Sequence, residues 1–487
     1  MTEPVIADRR LHPGTMLLRL LKALPQTLLV FPAILTMASD IGWRYFLPIA
    51  VASLALSGLA RWIAWRCFRY GIGSGELVIE QGLIQRSRRT IPFDRIQDVD
   101  FEQGPLHRVF GLVRLRFETG GQGRDEGVLD SVVVAEAERI RAAVRGAPCS
   151  VSPDEPDISA APLFFMPASR VILSGLFNFS LLWIAGIFAV LQAFSDWLPI
   201  DVRDIGAWIG LAERNLAGRV TPGAIAGVLL LAIALGLASG VVKTLMRDFG
   251  FRLTRERTGF RCERGLLTRR DVLVPYARIQ LGLLRSGPIR RVAGFQALAF
   301  QTLGVSEGEE GGGLQDAAPF ARMDEIATVV AETGGLRLPG DVALTRVSRR
   351  HMWKAILPAA IVASALVAVA TAFDHRLVVT GLAVPALLAL TLAERWSHRY
   401  ALDRDLLFIQ TGFWRRGLWI LPVVNIQTLA LRRSWLQRRL GLSTLVFDTA
   451  GAPSRGGAEI RDLRNDLANT LLLDVTERNR NGRVSRA

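Results

Sequence analysis

One block occurs three times in this chain in a shared register, and that repetition confines the fold to three equivalent units. The copies run Ile91–Gly120, Val274–Gly304 and Leu421–Gly451. Pro92, Pro275 and Pro422 correspond, as do Gln97, Gln280 and Gln427, and Gly111, Gly294 and Gly441. Phe117, Phe300 and Phe447 share a place, and so do Thr119, Thr302 and Thr449. Upstream, the match continues through Gly82, Gly265 and Gly412 and through Arg86, Arg269 and Arg416.

Each copy follows two apolar segments, at Ala23–Ala38 and Phe46–Ala60, at Val171–Phe194 and Pro222–Val242, and at Ala355–Phe373 and Leu377–Leu392. A bilayer core asks about 20 apolar residues of a helix. Half the residues are hydrophobic although the net charge is +15, and no Asp, Glu, Lys or Arg falls inside the six segments. The expectation is therefore an α+β membrane protein with six transmembrane helices in three hairpins. A second span follows the first closely, which fits a hairpin better than a cleaved secretory signal. Cys67, Cys149 and Cys262 are scattered without metal-ligand spacing, which suggests a reducing compartment and no disulfide frame.

The short connections inside the hairpins are poor in basic residues, while the outer flanks carry Arg9, Arg10, Lys22, Arg61, Arg66, Lys243, Arg247, Arg349, Arg350, Lys354 and Arg395. The positive-inside rule then places both termini and all three blocks on the cytoplasmic side of a bacterial inner membrane, in a multi-pass chain. An even number of crossings per hairpin returns every block to the same face. The predicted order is a segment and hairpin over 1–66, a domain over 67–147, a linker over 148–169, a hairpin over 170–246, a domain over 247–336, a linker and hairpin over 337–396, a domain over 397–479 and a basic tail over 480–487. Much of the positive charge lies at span ends, so it argues for membrane flanks rather than nucleic acid.

Within a block, short runs rich in Val, Ile and Leu are broken by Gly or Pro, which predicts β structure. Gly82, Gly265 and Gly412 lie between two such runs and suit the positive φ of a hairpin turn. The stretches ending at Gly111, Gly294 and Gly441 read as one short helical turn closed by glycine. In the strand that follows, Val113, Leu115 and Phe117 alternate with Arg114, Arg116 and Glu118. Amphipathic helices are expected at 132–144, 320–332 and 460–475, and a flexible acidic loop at Ser306–Gly313.

The run Gly82-Leu83, Ile91-Pro92, Arg95-Ile96-Gln97-Asp98-Val99 and Leu106 to Leu112 resembles the type 2 bacterial pleckstrin-homology-like (PH-like) domain of membrane proteins. The second copy keeps Arg278-Ile279-Gln280 but has Leu281 for the Asp, and the third has Asn425 for the Arg. The resemblance implies a PH-like β-barrel or sandwich with a C-terminal capping helix, three times over, mounted on membrane helices. It implies no particular activity.

Most repeated prolines, glycines and apolar residues fit turns and core. Gln97, Gln280 and Gln427 sit between apolar neighbours, where a polar side chain needs a hydrogen-bond partner, expected to be a nearby backbone loop. The candidate contacts for lipid or partner are Arg86, Arg108, Arg269, Arg291, Arg416, Arg432, Arg433, Arg438 and Arg439, since a basic side chain near an anionic surface contributes about 1 kcal/mol. The histidines, His12, His107, His351, His375 and His398, are dispersed, and no phosphate loop, nucleophile elbow or metal motif is present. No catalytic, cofactor or metal role is assigned, and no enzyme is expected. Three readings remain: a scaffold that gathers protein partners by avidity, an anionic-lipid sensor or handler, and envelope protection. Candidate partners are membrane lipids and a membrane or cytoplasmic protein, a smaller PH-like membrane protein among them.

Overall fold

The computed structural model describes residues 8–16, 18, 43–73, 75–82, 86–119, 127–145, 161–178, 222–302, 313–348, 350, 351, 354, a few positions between 360 and 394, 396–450 and 457–484. They form two compact units, one of residues 1–159, 166–251 and 263–273, the other of 160–165, 252–262 and 274–487.

The first block builds β1 (Arg69–Ile72), β2 (Glu76–Gln81), β3 (Ser87–Pro92), β4 (Ile96–Gln103), β5 (Leu112–Thr119) and β6 (Val128–Val133), followed by a helix at Val134–Arg145. The antiparallel sheets β1-β2-β3 and β4-β5-β6 enclose a core of Leu77, Ile91, Leu115, Phe117, Leu129 and Ile140, each at most 6% exposed. The alternation read in β5 places Val113, Leu115 and Phe117 inside and leaves Arg114 and Arg116 half-buried.

The second block supplies β7 (Phe164–Phe165), β8 (Arg252–Arg255), β9 (Gly259–Arg264), β10 (Arg269–Pro275), β11 (Ile279–Ser286), β12 (Gln296–Thr302) and β13 (Leu314–Ala321), then a helix at Met323–Glu332. The third supplies β14 (Thr345–Arg346), β15 (Arg399–Asp403), β16 (Leu406–Thr411), β17 (Arg416–Pro422), β18 (Ile426–Arg432), β19 (Leu442–Thr449) and β20 (Ala458–Arg464), then a helix at Asn465–Val484. Each capping helix starts two to five residues later than its apolar periodicity suggests, because 132–133, 320–321 and 460–464 pair as the end of a strand.

Neighbouring blocks join by their strand edges. The start of β10 pairs antiparallel with β4, Arg269 opposite Gln103 and Asp271 opposite Phe101. In the second unit β11 pairs with β17, from Gly282 opposite Ile420 to Ser286 opposite Arg416, giving one sheet of order β13-β12-β11-β17-β16-β15-β14. Pairing of this kind removes two edges that would otherwise expose unpaired N–H and C=O groups. Residues upstream of the apolar segments also return to each domain. Arg9 bridges Tyr70, Phe164 pairs with Leu253, and Thr345 pairs with Tyr400.

Gly82, Gly265 and Gly412 have φ of +101°, +112° and +80°. A Cβ on Gly265 or Gly412 would sit 1.9 or 2.0 Å from the carbonyl oxygen of Thr268 or Arg415, so backbone packing excludes a side chain there. Pro92, Pro275 and Pro422 each open a short 3-10 turn. Gly111, Gly294 and Gly441, with φ of +61°, +76° and +70°, follow the short helices Pro105–Val109, Pro288–Val292 and Trp435–Leu440. The strand register skips one residue immediately after Ile96, Ile279 and Ile426, so Gln97, Gln280 and Gln427 each occupy a β-bulge.

The expectation of six transmembrane helices is corrected: among the described residues, no helix is long and apolar enough to cross a membrane. The segment Phe46–Ala60 lies within the helix Trp43–Cys67, which contains Pro48 and continues into Arg61 and Arg66. Its uninterrupted apolar run rises only about 22 Å at 1.5 Å per residue, against a bilayer core of about 30 Å. Pro222–Val242 lies within the helix Pro222–Asp248, one face of whose C-terminal half is buried at Gly240, Thr244 and Asp248 while Leu235, Val242 and Met246 are exposed. Gly240 abuts the backbone of Gly175 and Asn178, and Asn178 Nδ2 donates to Thr244 Oγ1 at 3.0 Å. The segment Val171–Phe194 begins inside the nine-residue helix Ala168–Leu176 and lies outside the described residues beyond Asn178. Ala23–Ala38, most of Ala355–Phe373 and Leu377–Leu392, and the acidic loop apart from Gly313 also lie outside them.

Candidate functional site

The third domain holds a buried ionic cluster on its last strand. Asp462, on β20, is fully buried and has φ +58°, a left-handed conformation that non-glycine residues rarely adopt. Its carboxylate accepts from Lys354 Nζ at 2.9 and 3.2 Å, from Gln437 Nε2 at 2.6 Å and from the His351 ring. Gln437 also donates to Thr444 Oγ1 at 2.8 Å, and its Oε1 accepts from the Ser434 backbone N–H at 2.8 Å. Ser434 and Gln437 thus form the capping box that starts the helix Trp435–Leu440.

Burial alone would raise the Asp462 pKa, but the hydrogen bonds from His351, Gln437 and Lys354 and the Lys354 charge bring it down to about 2. The carboxylate is therefore ionised at neutral pH. Beside it, burial together with Arg461 and His351 lowers the His398 pKa to about 4, against the opposing pull of Asp462. His398 is neutral at pH 7 and its Nε2 accepts from the Arg461 backbone N–H at 3.1 Å. Val347, His351, Lys354, Glu394, His398, Arg461 and Asp462 line a small cavity of about 120 Å³.

Strand pairing identifies the counterparts of this cluster. Leu445 lies opposite Ile460 and Leu115 opposite Leu129, so Ser131 stands in the first domain where Asp462 stands in the third. Ser131 also has positive φ, +69°, and its Oγ lies 3.4 Å from Nε2 of His107, the counterpart of Gln437. In the second domain Phe320 takes the place, buried and stacked on Phe295 at 4.1 Å. The ionic set therefore occurs in one domain of three, on a scaffold that accepts a hydroxyl or an aromatic ring at the same point.

The arginines singled out in the sequence fall into two groups and several solitary positions. Arg432, Arg433, Arg438 and Arg439 are exposed around the exposed Trp435, with Arg439 5.7 Å from its ring and Arg433 Nε donating to Ser443 Oγ at 2.9 Å. Arg291 and Arg416 come together with Arg399, whose counterparts in the other two copies are Arg69 and Arg252. Arg269 is exposed and pairs with Glu263 at 2.9 Å, whereas Arg86 and Arg108 are simply exposed. Gln280 Nε2 donates to the Arg278 carbonyl at 3.4 Å, and Gln427 is exposed. The side chain of Gln97 lies outside the described residues.

The Asp462 cluster is missed by a reading of the repeats because its members are the positions at which the repeats differ. The Ser434-to-Gln437 spacing of a capping box is its one local signal. Neither Cys67 nor Cys262 is in a disulfide.

The bacterial PH domain family matches residues 20–147, 171–352 and 355–478. The chain is similar to the UPF0699 transmembrane protein YdbT of Bacillus subtilis (strain 168), with 25% identity over 330 residues, or 64% of this chain. The match spans 65% of that relative's length. No solved structure matches the chain.

Proposed function

Because this chain belongs to the bacterial PH domain family, we propose that it is a non-enzymatic, membrane-associated carrier of three PH-like binding modules that gathers protein partners at the cytoplasmic face of a bacterial inner membrane. The observation that carries this reading is a contact feature present in every module. The short helix before β5, β12 and β19 presents bare apolar side chains beside arginine: Val109 with Arg108, Ile289 and Val292 with Arg291, and Trp435 with Arg438 and Arg439. Val109 is 78% exposed, Val292 92% and Trp435 65%. Single exposed apolar residues are ordinary, but a recurrent apolar-and-arginine turn has the composition of a protein interface. Three weak sites on one chain bind by avidity.

Membrane association is supported by the name of the Bacillus relative, a transmembrane protein. It is supported also by exposed Leu56, Leu230 and Leu231 on the helices Trp43–Cys67 and Pro222–Asp248. The second reading, contact with anionic lipid and through it a part in envelope protection, draws on the exposed group of Arg432, Arg433, Arg438 and Arg439.

The test is to purify the full chain from its own membranes in native-lipid particles and identify what comes with it by mass spectrometry. A stoichiometric protein that disappears in the V109E/V292E/W435E variant supports the scaffold. An enriched anionic lipid without a protein favours the second reading. A parent particle with neither sinks both.

A further inference from the structure

We infer that the seam between the second and third domains is a binding site for the phosphate of an anionic lipid headgroup, formed by Arg291, Arg399 and Arg416. This rests on the membrane association proposed above and not on the protein-partner reading.

Register puts the group together. Arg346 lies opposite Arg399, Arg399 opposite Gln410, and Gln410 opposite Leu418, so these side chains share one face of the sheet. Arg416, two residues before Leu418, is on that face too. Arg291 arrives from the helix Pro288–Val292 of the second domain, its Nη2 donating to the Phe413 carbonyl at 3.0 Å. The site therefore exists because β11 and β17 pair, Ser286 opposite Arg416.

The chemistry is unbalanced. Burial and then the charges of Arg291 and Arg399 hold the Arg416 pKa below its ordinary value. Arg416 Nε is enclosed and has no hydrogen-bond partner. Arg399 spends its Nε on the Trp396 carbonyl, at 3.4 Å. Among the described residues no carboxylate pairs with any of the three. A guanidinium that feels the charges of two others favours an oxyanion with several acceptor lone pairs, which phosphate provides.

The second domain shows what neutralises this place, and the first keeps the same acid. Gln410 is the counterpart of Glu80 and Glu263 in the hairpins turned at Gly412, Gly82 and Gly265. Glu80 lies 3.6 Å from Arg88, and Glu263 lies 2.9 Å from Arg269, the counterpart of Arg416. The third domain alone has an uncharged residue there, and Gln410 Nε2 is turned to the Ser397 carbonyl at 3.0 Å. Its arginine is thus left without an internal acid. Around it Phe413, Trp414 and Trp396 are exposed, Trp414 by 65% and Trp396 by 62%, and Arg346 lies 5.9 Å from the Trp396 ring. Tryptophan beside arginine suits the boundary between headgroups and acyl chains, which selects a lipid over a free phosphate as the occupant.

The full chain in neutral detergent is titrated with short-chain phosphatidylglycerol, with phosphatidylcholine of the same chain length, and with inorganic phosphate, following tryptophan emission. Phosphatidylglycerol should bind in preference to phosphatidylcholine. The variants R416Q and Q410E should each weaken it by about fivefold, the worth of one basic contact. Q410E restores the acid of the second domain, and R399Q/R416Q provides a further variant should Q410E fail to fold. Equal binding of the two lipids, or unchanged phosphatidylglycerol binding in R416Q and R399Q/R416Q, overturns the site. Saturable binding of inorganic phosphate without phosphatidylglycerol binding overturns the lipid as its occupant. No protein partner takes part in this assay, so its failure leaves the scaffold reading to its own test.

Discussion

Lys354 donates to both oxygens of Asp462, at 2.9 and 3.2 Å, across 108 residues of chain. The bond ties the segment entering the third apolar pair to the last strand of the third domain. A buried charge left without its partner is destabilising by roughly 3 to 5 kcal/mol, whereas replacing a whole buried ionic set by neutral groups is often close to neutral. In the first domain the same point holds a hydroxyl, Ser131 Oγ lying 3.4 Å from His107 Nε2.

D462S should therefore lower stability by roughly 3 kcal/mol, because Lys354 and His351 lose their acceptor. Combining it with K354L, H351T and Q437H should recover more than half of that loss. Denaturant unfolding of the full chain measures both, and simple additivity of the four changes would show that the cluster is not a unit.

His398 sets an acid limit. Its folded pKa, about 4, lies below the ordinary value of 6.5, so the unfolded chain binds the proton more tightly. The stabilising contribution is complete above pH 6.5 and declines as pH falls from there to about 4. Over that window it amounts to the order of 3 kcal/mol. Melting temperature against pH should flatten across pH 4 to 6.5 in H398Q. An unchanged slope would assign the acid sensitivity elsewhere. Asp462 acts lower, where stability held above pH 3.8 is lost towards its folded value of about 2.

Two glycines of similar φ should differ in cost. G412A places a methyl group 2.0 Å from the Arg415 carbonyl oxygen, whereas G441A meets only the movable Arg350 guanidinium at 3.2 Å. G441A should cost about 1 to 2 kcal/mol from the left-handed backbone alone, and G412A clearly more. Paired urea titrations decide the order.

The β11–β17 seam should behave as core. Amides of 282–286 and 416–420 should exchange as slowly as those of β12 and β19, since these strands lie inside a sheet and not at its edge. Fast exchange confined to both stretches would mean that the two domains separate in solution.

Much of a single domain is legible in the chain. Gly82, Gly265 and Gly412 mark turns because each takes the positive φ that glycine accepts, and Phe117, Phe300 and Phe447 mark the core because each repeat buries the same ring. The repeated Gln is conspicuous for a different reason from the one its polarity suggests: it is the extra residue of a bulge. The apolar segments mislead as a count of membrane crossings, since a run of apolar residues does not reveal how much of its helix another helix covers. Gly240 against Gly175 is such a contact.

Local order, then, was determined by sequence: strand periodicity, turn glycines and the short capped helices all follow from interactions within a few tens of residues. Tertiary structure alone decided which strand edges meet and which charges face one another. Arg291 and Arg416 lie far apart in the chain and belong to different repeats, and Asp462 depends on Lys354 and Gln437 from separate segments. Such pairings arise when sheet edges close and buried charges find partners across long loops, and no local pattern of residues encodes them.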